Sequence, residues 1–350
     1  MKNRNVLPGR AWYHSARCQR VSQSKDVRLL YGVKLKIPLV YNAKSGPRWR
    51  DLDAILASMD AGLRARVEPI EISFPFDYSE SIEKAQRAGG PLVVLGGDGT
   101  IHHAAKALLE KGCPAPLAAL PGGSGNGLAR GLRIPENPIG ALENLLSGRE
   151  MMMDVGRLDG EPFFNVAGCG FEGDLAHEFD SSSGKRGFFS YAKIALKLWR
   201  SSEPLNARWD AVGLAPCEPR TGLEKLKAAW HGSAPEVPSN VWSLCFANLP
   251  QYGYGLCIAP GADPTDGAIQ WAALAKPGVF DFVAELPQLF RENGRTKLRR
   301  EGQIKKATVH FDFPVNWQMD GEPAQPRDRA EIAVEPRVFR MMVIRGCPWS

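Results

Sequence analysis

The sequence predicts an α/β domain built on a parallel sheet, joined to a mainly antiparallel β half of the sandwich or barrel kind. Three observations lead there. Short apolar runs alternate with helix-spaced segments up to about residue 150. Two of those runs end in glycine-rich loops that lead into helices. After Met153 the alternation gives way to a series of short strand-like pieces.

Regular structure begins at Leu35-Lys-Ile-Pro-Leu-Val-Tyr41, which ends in the turn Asn42-Ala-Lys-Ser-Gly46. Residues 51–63 carry apolar side chains at 52, 55, 56, 59 and 63, a helical spacing. Residues 67–74 fit a second strand and 79–87 a second helix. The run Pro91-Leu-Val-Val-Leu95 suits a strand buried on both faces. It enters Gly96-Gly-Asp-Gly-Thr100, and a helix follows over 101–111 up to Gly112. Residues 117–120 form another buried strand, followed by Pro121-Gly-Gly-Ser-Gly-Asn126 and a helix start. Strand-like pieces then fall at 153–158, 162–167, 206–213, 241–248, 268–274 and 308–313, with helices at 188–199 and 280–290. Pro287 weakens the second helix. Residues 200–238, rich in Pro, Gly and charge, hold an insert.

Composition narrows the function classes. The chain has 350 residues, 44% of them hydrophobic and 23% charged, enough for a sizeable core. No run reaches the roughly 20 apolar residues of a spanning helix. The seven cysteines form no CxxC pair, and the six histidines show no ligand spacing, so a zinc enzyme or disulfide framework is disfavoured. Such cysteine usage suits a reducing, cytoplasmic setting. The net charge of +6 is local. Residues 1–36 hold nine Lys/Arg and one acidic residue, whereas the remainder holds 35 basic and 37 acidic residues. That distribution argues against a nucleic-acid-binding face. Residues 1–34 therefore form a basic leader that is either disordered or a polybasic arm for anionic lipid.

The chemistry concentrates in the two glycine-rich loops. Ligands of open α/β sheets bind beyond the carboxyl ends of the strands. Glycine there brings backbone N–H groups close to an anion, and the following helix adds its positive end. Asp98 is out of place in a plain phosphate cradle. A carboxylate fits if it orients Mg²⁺ or accepts a hydroxyl proton during phosphoryl transfer. No GxxxxGK[ST], kinase HRD/DFG set or GxSxG elbow competes, and a GxGxxG read from Gly97 or Gly125 fails at His102 or Arg130.

Gly96-Gly-Asp-Gly-Thr100 with Pro121-Gly-Gly-Ser-Gly-Asn-Gly-Leu-Ala-Arg130 resembles the catalytic domain of the diacylglycerol kinase / sphingosine kinase superfamily of lipid kinases. Asn42-Ala-Lys-Ser-Gly46 is similar to that family's opening turn. Phe164-Asn-Val-Ala-Gly-Cys-Gly-Phe171, Pro260-Gly-Ala-Asp-Pro-Thr-Asp-Gly267 and Met319-Asp-Gly-Glu322 resemble its later motifs, in the family's order over about 37–346. The resemblance implies a nucleotide-binding α/β domain of the NAD kinase/phosphofructokinase kind over 35–150 and 327–346. It also implies a β-sandwich lipid-substrate domain over 151–326.

The implied activity is transfer of the γ-phosphoryl of ATP, with Mg²⁺, to a diacylglycerol or sphingoid-type hydroxyl. An NAD kinase, or a nucleotide-binding protein without turnover, are the rivals. By the same resemblance Asp98 or Glu322 is the proton acceptor. Asn42, Lys44, Ser45, Gly97, Gly99, Thr100, Gly123, Ser124, Gly125, Asn126, Arg186 and Asp320 hold the nucleotide. Asp174 contacts the lipid head group, and Asp266 belongs to a Mg²⁺ network. His103 stands where the family has glutamate, exchanging a fixed anion for a group that titrates near neutrality. Residues 291–306, with seven Lys/Arg and two Glu after the apolar stretch 280–290, suit peripheral contact with a membrane that supplies the lipid. A homodimer is left open.

Overall fold

The structure, a computed structural model, describes residues 36–42, 52, 56, 57, 59–182, 188–212, 237–291 and 294–349. The basic leader, much of the expected 51–63 helix and most of the 200–238 insert lie outside these. The first part of the chain runs β1 (Ile37–Tyr41), α1 (Ala61–Arg66), β2 (Val67–Glu71), α2 (Ser79–Ala88), β3 (Leu92–Gly96), α3 (Asp98–Glu110), β4 (Leu117–Pro121), α4 (Gly127–Gly131) and α5 (Pro138–Leu146). The second part continues with β5 (Arg149–Leu158), β6 (Glu161–Phe163), β7 (Val166–Gly170), α6 (Phe171–Ser181), α7 (Phe188–Ser201), β8 (Leu205–Val212), β9 (Asn240–Val241) and β10 (Ser243–Ala247). It ends with β11 (Ile269–Leu274), α8 (Val279–Leu289), β12 (Arg299–Ile304), β13 (Lys306–Met319) and β14 (Glu322–Val343).

The fold is an α/β part with parallel strands joined to a mainly antiparallel part. Strands β2, β1, β3 and β4 lie side by side and parallel. β3 and β4 are buried along their whole length, as strands covered on both faces must be. The antiparallel part runs β12-β11-β10-β7-β13-β14. β14 joins the two: its start pairs with β13, and Met341 near its end pairs parallel to Leu117 of β4. Two large cores follow this division. One packs Leu39, Val93, Leu95, Ile101, Leu108 and Leu120. The other packs Phe163, Phe246, Trp271, Val309 and Trp317.

Three elements depart from the pattern read in the sequence, each for a physical reason. α3 starts at Asp98 rather than 101, because Gly97 is its extended N-cap and the loop itself is the first turn. Acidic Asp98 suits the positive end of that helix. α6 carries little apolar periodicity because its buried face includes Gly173, whose Cα lies against the Asn316 carbonyl, alongside Leu175. β12, read in the sequence only as part of a basic stretch, is an edge strand paired among the described residues with β11 alone, a place where charge protects an open edge.

Candidate active site

The two glycine-rich loops emerge side by side because β3 and β4 end together, Gly96 paired with Pro121. Gly122 donates to the Gly96 carbonyl at 2.8 Å. A Cβ added to Gly123 would come within 2.6 Å of the Gly97 Cα, so only glycine lets these backbones touch. Asn126 is buried with φ 54°, a left-handed conformation that Asn tolerates. Its side chain locks the second loop, accepting from Gly123 N–H at 2.8 Å and donating to the Gly123 carbonyl at 2.9 Å.

Asp98 sits where the loops meet. Its Oδ1 accepts from Gly127 N–H at 2.7 Å, and its Oδ2 lies against the Cα of Gly125, where a Cβ would be 2.6 Å away. Burial pushes its carboxyl up to about 6; the amides of Gly127, Asn126 and Leu128 oppose that shift, and the charge of Asp320 adds to it. Glu322, the first residue of β14, reaches back onto the first loop: any Cβ at Gly99 would overlap its carboxyl. Two carboxylates separated by 224 positions in sequence thus converge on one glycine loop.

Asp320 turns inward. In left-handed conformation at φ 51°, it is 7% exposed. Its Oδ1 accepts from the amides of Asn165 at 2.8 Å and Val166 at 2.9 Å, and its Oδ2 from Phe164 N–H at 2.9 Å. The same Oδ2 lies 2.8 Å from His102 Nδ1. These partners occupy Asp320 within the protein, so it positions the turn that carries Glu322. His103 packs between His102 and Phe76, each ring 5.5 Å away. Burial, then the charges of His102 and Lys106, holds His103 below the usual histidine range, toward its neutral form.

The other residues singled out in the sequence divide into three groups. Thr100 is buried beside Gly96, its carbonyl accepting from Tyr78 Oη at 2.8 Å, and Ser124 Oγ accepts from Tyr254 Oη at 2.9 Å. Asn42 directly follows β1, half-buried, while Lys44, Ser45 and Arg186 lie outside the described residues. Asp266 and Asp174 keep different company. Asp266 accepts from Ala268 N–H at 2.9 Å and from the Gln303 amide at 2.8 Å. Burial, with Asp263 and Asp154 nearby, pushes Asp266 up to about 6. Asp174 accepts from Asn316 at 2.8 Å and lines an open hollow of about 390 Å³ with His177, Glu178 and Leu198. Among the described residues no three side chains are grouped to hold a metal.

Sequence reading missed His102, Tyr252, Tyr254, Gln318, Glu172 and Tyr191. His102, Glu172 and Gln318 stand next to motifs and Tyr191 in the helix read over 188–199, but nothing in their spacing marks them as parts of a site, and Tyr252 and Tyr254 adjoin no motif.

Residues 36–158 match the family model of the diacylglycerol kinase catalytic domain. A "Probable lipid kinase YegS-like" of Pseudomonas aeruginosa is 27% identical over 319 residues, covering 90% of this chain and 96% of that protein. A "Diacylglycerol kinase" of Mycobacterium tuberculosis is 26% identical over 261 residues, covering 72% and 76%. The crystal structure of a diacylglycerol kinase from Bacillus anthracis shares the fold, with a TM-score of 0.60 at 16% identity over 89% of this chain and 98% of that one.

The raised Asp98 carboxyl has a consequence for stability. Its folded-state value of about 6 lies above the ordinary 3.8, so the folded state holds the proton more tightly. Stability from this group is therefore greatest at low pH and falls as pH rises from about 4 through about 6. Asp98→Asn keeps the acceptor for Gly127 and removes the buried charge. Urea denaturation at pH 7.5 should show it more stable than the parent by roughly 1–3 kcal/mol, with the gap shrinking at pH 4. A variant less stable than the parent at pH 7.5 would contradict this.

Proposed function

Since residues 36–158 of this chain match the family model of the diacylglycerol kinase catalytic domain, we propose that it transfers the γ-phosphoryl group of Mg-ATP to the hydroxyl of a lipid. The observation that carries this reading is the meeting of Asp98 and Glu322 at the junction of two glycine loops. Phosphoryl transfer needs positioning and charge placement more than covalent participation by the protein. The cradle of Gly97, Gly99, Gly123 and Gly125 admits phosphate oxygens where a Cβ would obstruct. The start of α3 bears no side-chain cap, so its N–H groups and helix dipole suit the triphosphate. Magnesium would enter with ATP as part of the substrate and supply neutralisation of phosphate charge, with Asp266 in its network.

In the transfer, the lipid oxygen attacks the γ-phosphorus as the bond to the β-phosphate oxygen breaks, and ADP leaves with the electron pair. The hydroxyl proton passes to a carboxylate, Asp98 or Glu322. Asp98, with its value of about 6, is ionised at neutral pH yet close enough to that pH to act as a base. Asn42, Thr100, Ser124 and Asn126 support the nucleotide in this reading, as do Lys44, Ser45 and Arg186.

Access to a lipid suits the surface. Among the described residues no helix is long and apolar enough to cross a membrane. α8 instead exposes Phe280 at 90% and Val279 at 64%, and the basic stretch 291–306 follows it. An apolar tip beside cations matches the requirements of peripheral contact with anionic lipid.

Purified chain incubated with γ-labelled ATP and a panel of lipid alcohols should yield labelled lipid. Asp98→Ala should lower the rate by about a thousandfold or more. If Asp98 is the base, kcat/KM of the parent should fall below pH of about 6. If it is Glu322, Glu322→Gln should show the larger loss in kcat. Labelled NADP in place of labelled lipid, or nucleotide binding with no labelled product, would overturn the reading.

A further inference from the structure

The segment between β2 and α2 carries an aromatic side chain that the folded chain leaves open. Phe74 is 79% exposed, yet its segment is tied at both ends. Ile72 N–H donates to the Tyr41 carbonyl at 2.9 Å, and Tyr78 Oη to the Thr100 carbonyl at 2.8 Å. Phe74 is also the outer end of a file of rings that starts in the core. Phe339, Phe164, His102, His103, Phe76 and Phe74 follow one another with ring centres 4.9, 6.0, 5.5, 5.5 and 5.7 Å apart. The first three are buried and the next two half-buried. His103, standing where the family has glutamate, supplies the ring that joins Phe76 to His102.

The place of this open ring follows from the sheet. Strands β2, β1 and β3 are parallel, and Glu71, Tyr41 and Leu95 stand level across them. Phe74 lies shortly beyond Glu71, Asn42 directly beyond Tyr41, and Gly97 shortly beyond Leu95. All three therefore stand past the carboxyl ends of their strands, the side on which ligands of such sheets bind. Two strand spacings, roughly 10 Å, separate the line of β2 from that of β3. A ribose with its phosphate chain bridges such an interval, phosphates over the first glycine loop and base toward β2. The file of rings adds a second tie to the same site, because His102 and His103 belong to α3, the helix whose N-terminus faces the phosphates.

We infer that Phe74 seats the base of the donor nucleotide by stacking, and thereby sets a preference for purine over pyrimidine triphosphates. The inference rests on the kinase reading and deepens it at the nucleotide. A base on Phe74 extends the file by one ring and covers its one open member. Stacking reads ring area rather than a hydrogen-bonding edge, and a purine offers two fused rings where a pyrimidine offers one. Phe76 meets Phe74 at an interplanar angle of 89°, an edge contact that keeps the pair rigid. The exposed charges nearest in the chain, Glu71, Asp77 and Glu80, are acidic. They suit an uncharged base and oppose an anionic membrane as the occupant of this ring.

The test is calorimetric binding of Mg-ATP, Mg-CTP and magnesium tripolyphosphate, which has no base, to the parent chain, Phe74→Ala and Phe74→Trp. The parent should bind ATP about fivefold or more tighter than CTP. Phe74→Ala should weaken ATP by about tenfold or more and leave tripolyphosphate within about twofold, and Phe74→Trp should restore ATP. The fluorescence of 2-aminopurine riboside triphosphate should be quenched when it saturates the parent and not when it saturates Phe74→Ala. These arms need no turnover. ATP binding that depends on Phe74 without any labelled lipid would overturn the kinase reading and leave the base seat standing. Equal affinity of the parent for ATP and CTP, unchanged ATP affinity in Phe74→Ala, or an equal loss for ATP and tripolyphosphate would overturn the inference. So would Phe74→Trp binding ATP no better than Phe74→Ala.

Discussion

Asp320 accepts hydrogen bonds from three consecutive backbone amides, Phe164, Asn165 and Val166, and lies 2.8 Å from His102 Nδ1. That set ties three places together: the β13–β14 turn, the start of β7 and the second turn of α3. The rest of the site depends on it. Glu322 lies two residues beyond Asp320, and its carboxyl reaches Gly99 because the turn is fixed against α3. The Asp320 backbone N–H donates to Val166 at 2.8 Å, so main chain and side chain bind the same strand. A buried carboxylate satisfied this fully is compatible with burial, whereas removing it would leave three amides unpaired.

Around this anchor the molecule buries carboxyl groups where a folded protein ordinarily avoids them. Asp98 and Glu172 are both driven upward in pKa by burial, and Asp98 also by the charge of Asp320. The glycine loops hold no side chain that could balance them. Stability is given up locally for a site that is complete only when its ligands arrive, a pattern expected where charge is reserved for chemistry. His103 is packed against Phe76 and His102 and kept toward neutrality.

The parallel part of the fold was legible because β3 and β4 are short, wholly apolar and bounded by glycine, and because Asp98 is conspicuous among glycines. The meeting of Asp98 with Glu322 was legible only through family resemblance, since nothing local to Met319-Asp-Gly-Glu322 says what the turn packs against. α6 was not legible. Its buried face includes Gly173, which leaves no apolar stripe. Glu172 was hidden for the same reason, and Tyr191 and Gln318 matter only through packing between distant elements. Asp320 was read toward the nucleotide, but its left-handed backbone turns the carboxylate onto the Phe164–Val166 amides, a direction no spacing rule encodes.

Amide hydrogen exchange in an Asp320→Ala chain tests the anchoring role most directly. The amides of Phe164, Asn165 and Val166 should lose protection by about a hundredfold or more, while Val93–Leu95 inside β3 stay protected. Unchanged protection at residues 164–166 would show that the strand is held by other means and that Asp320 anchors nothing.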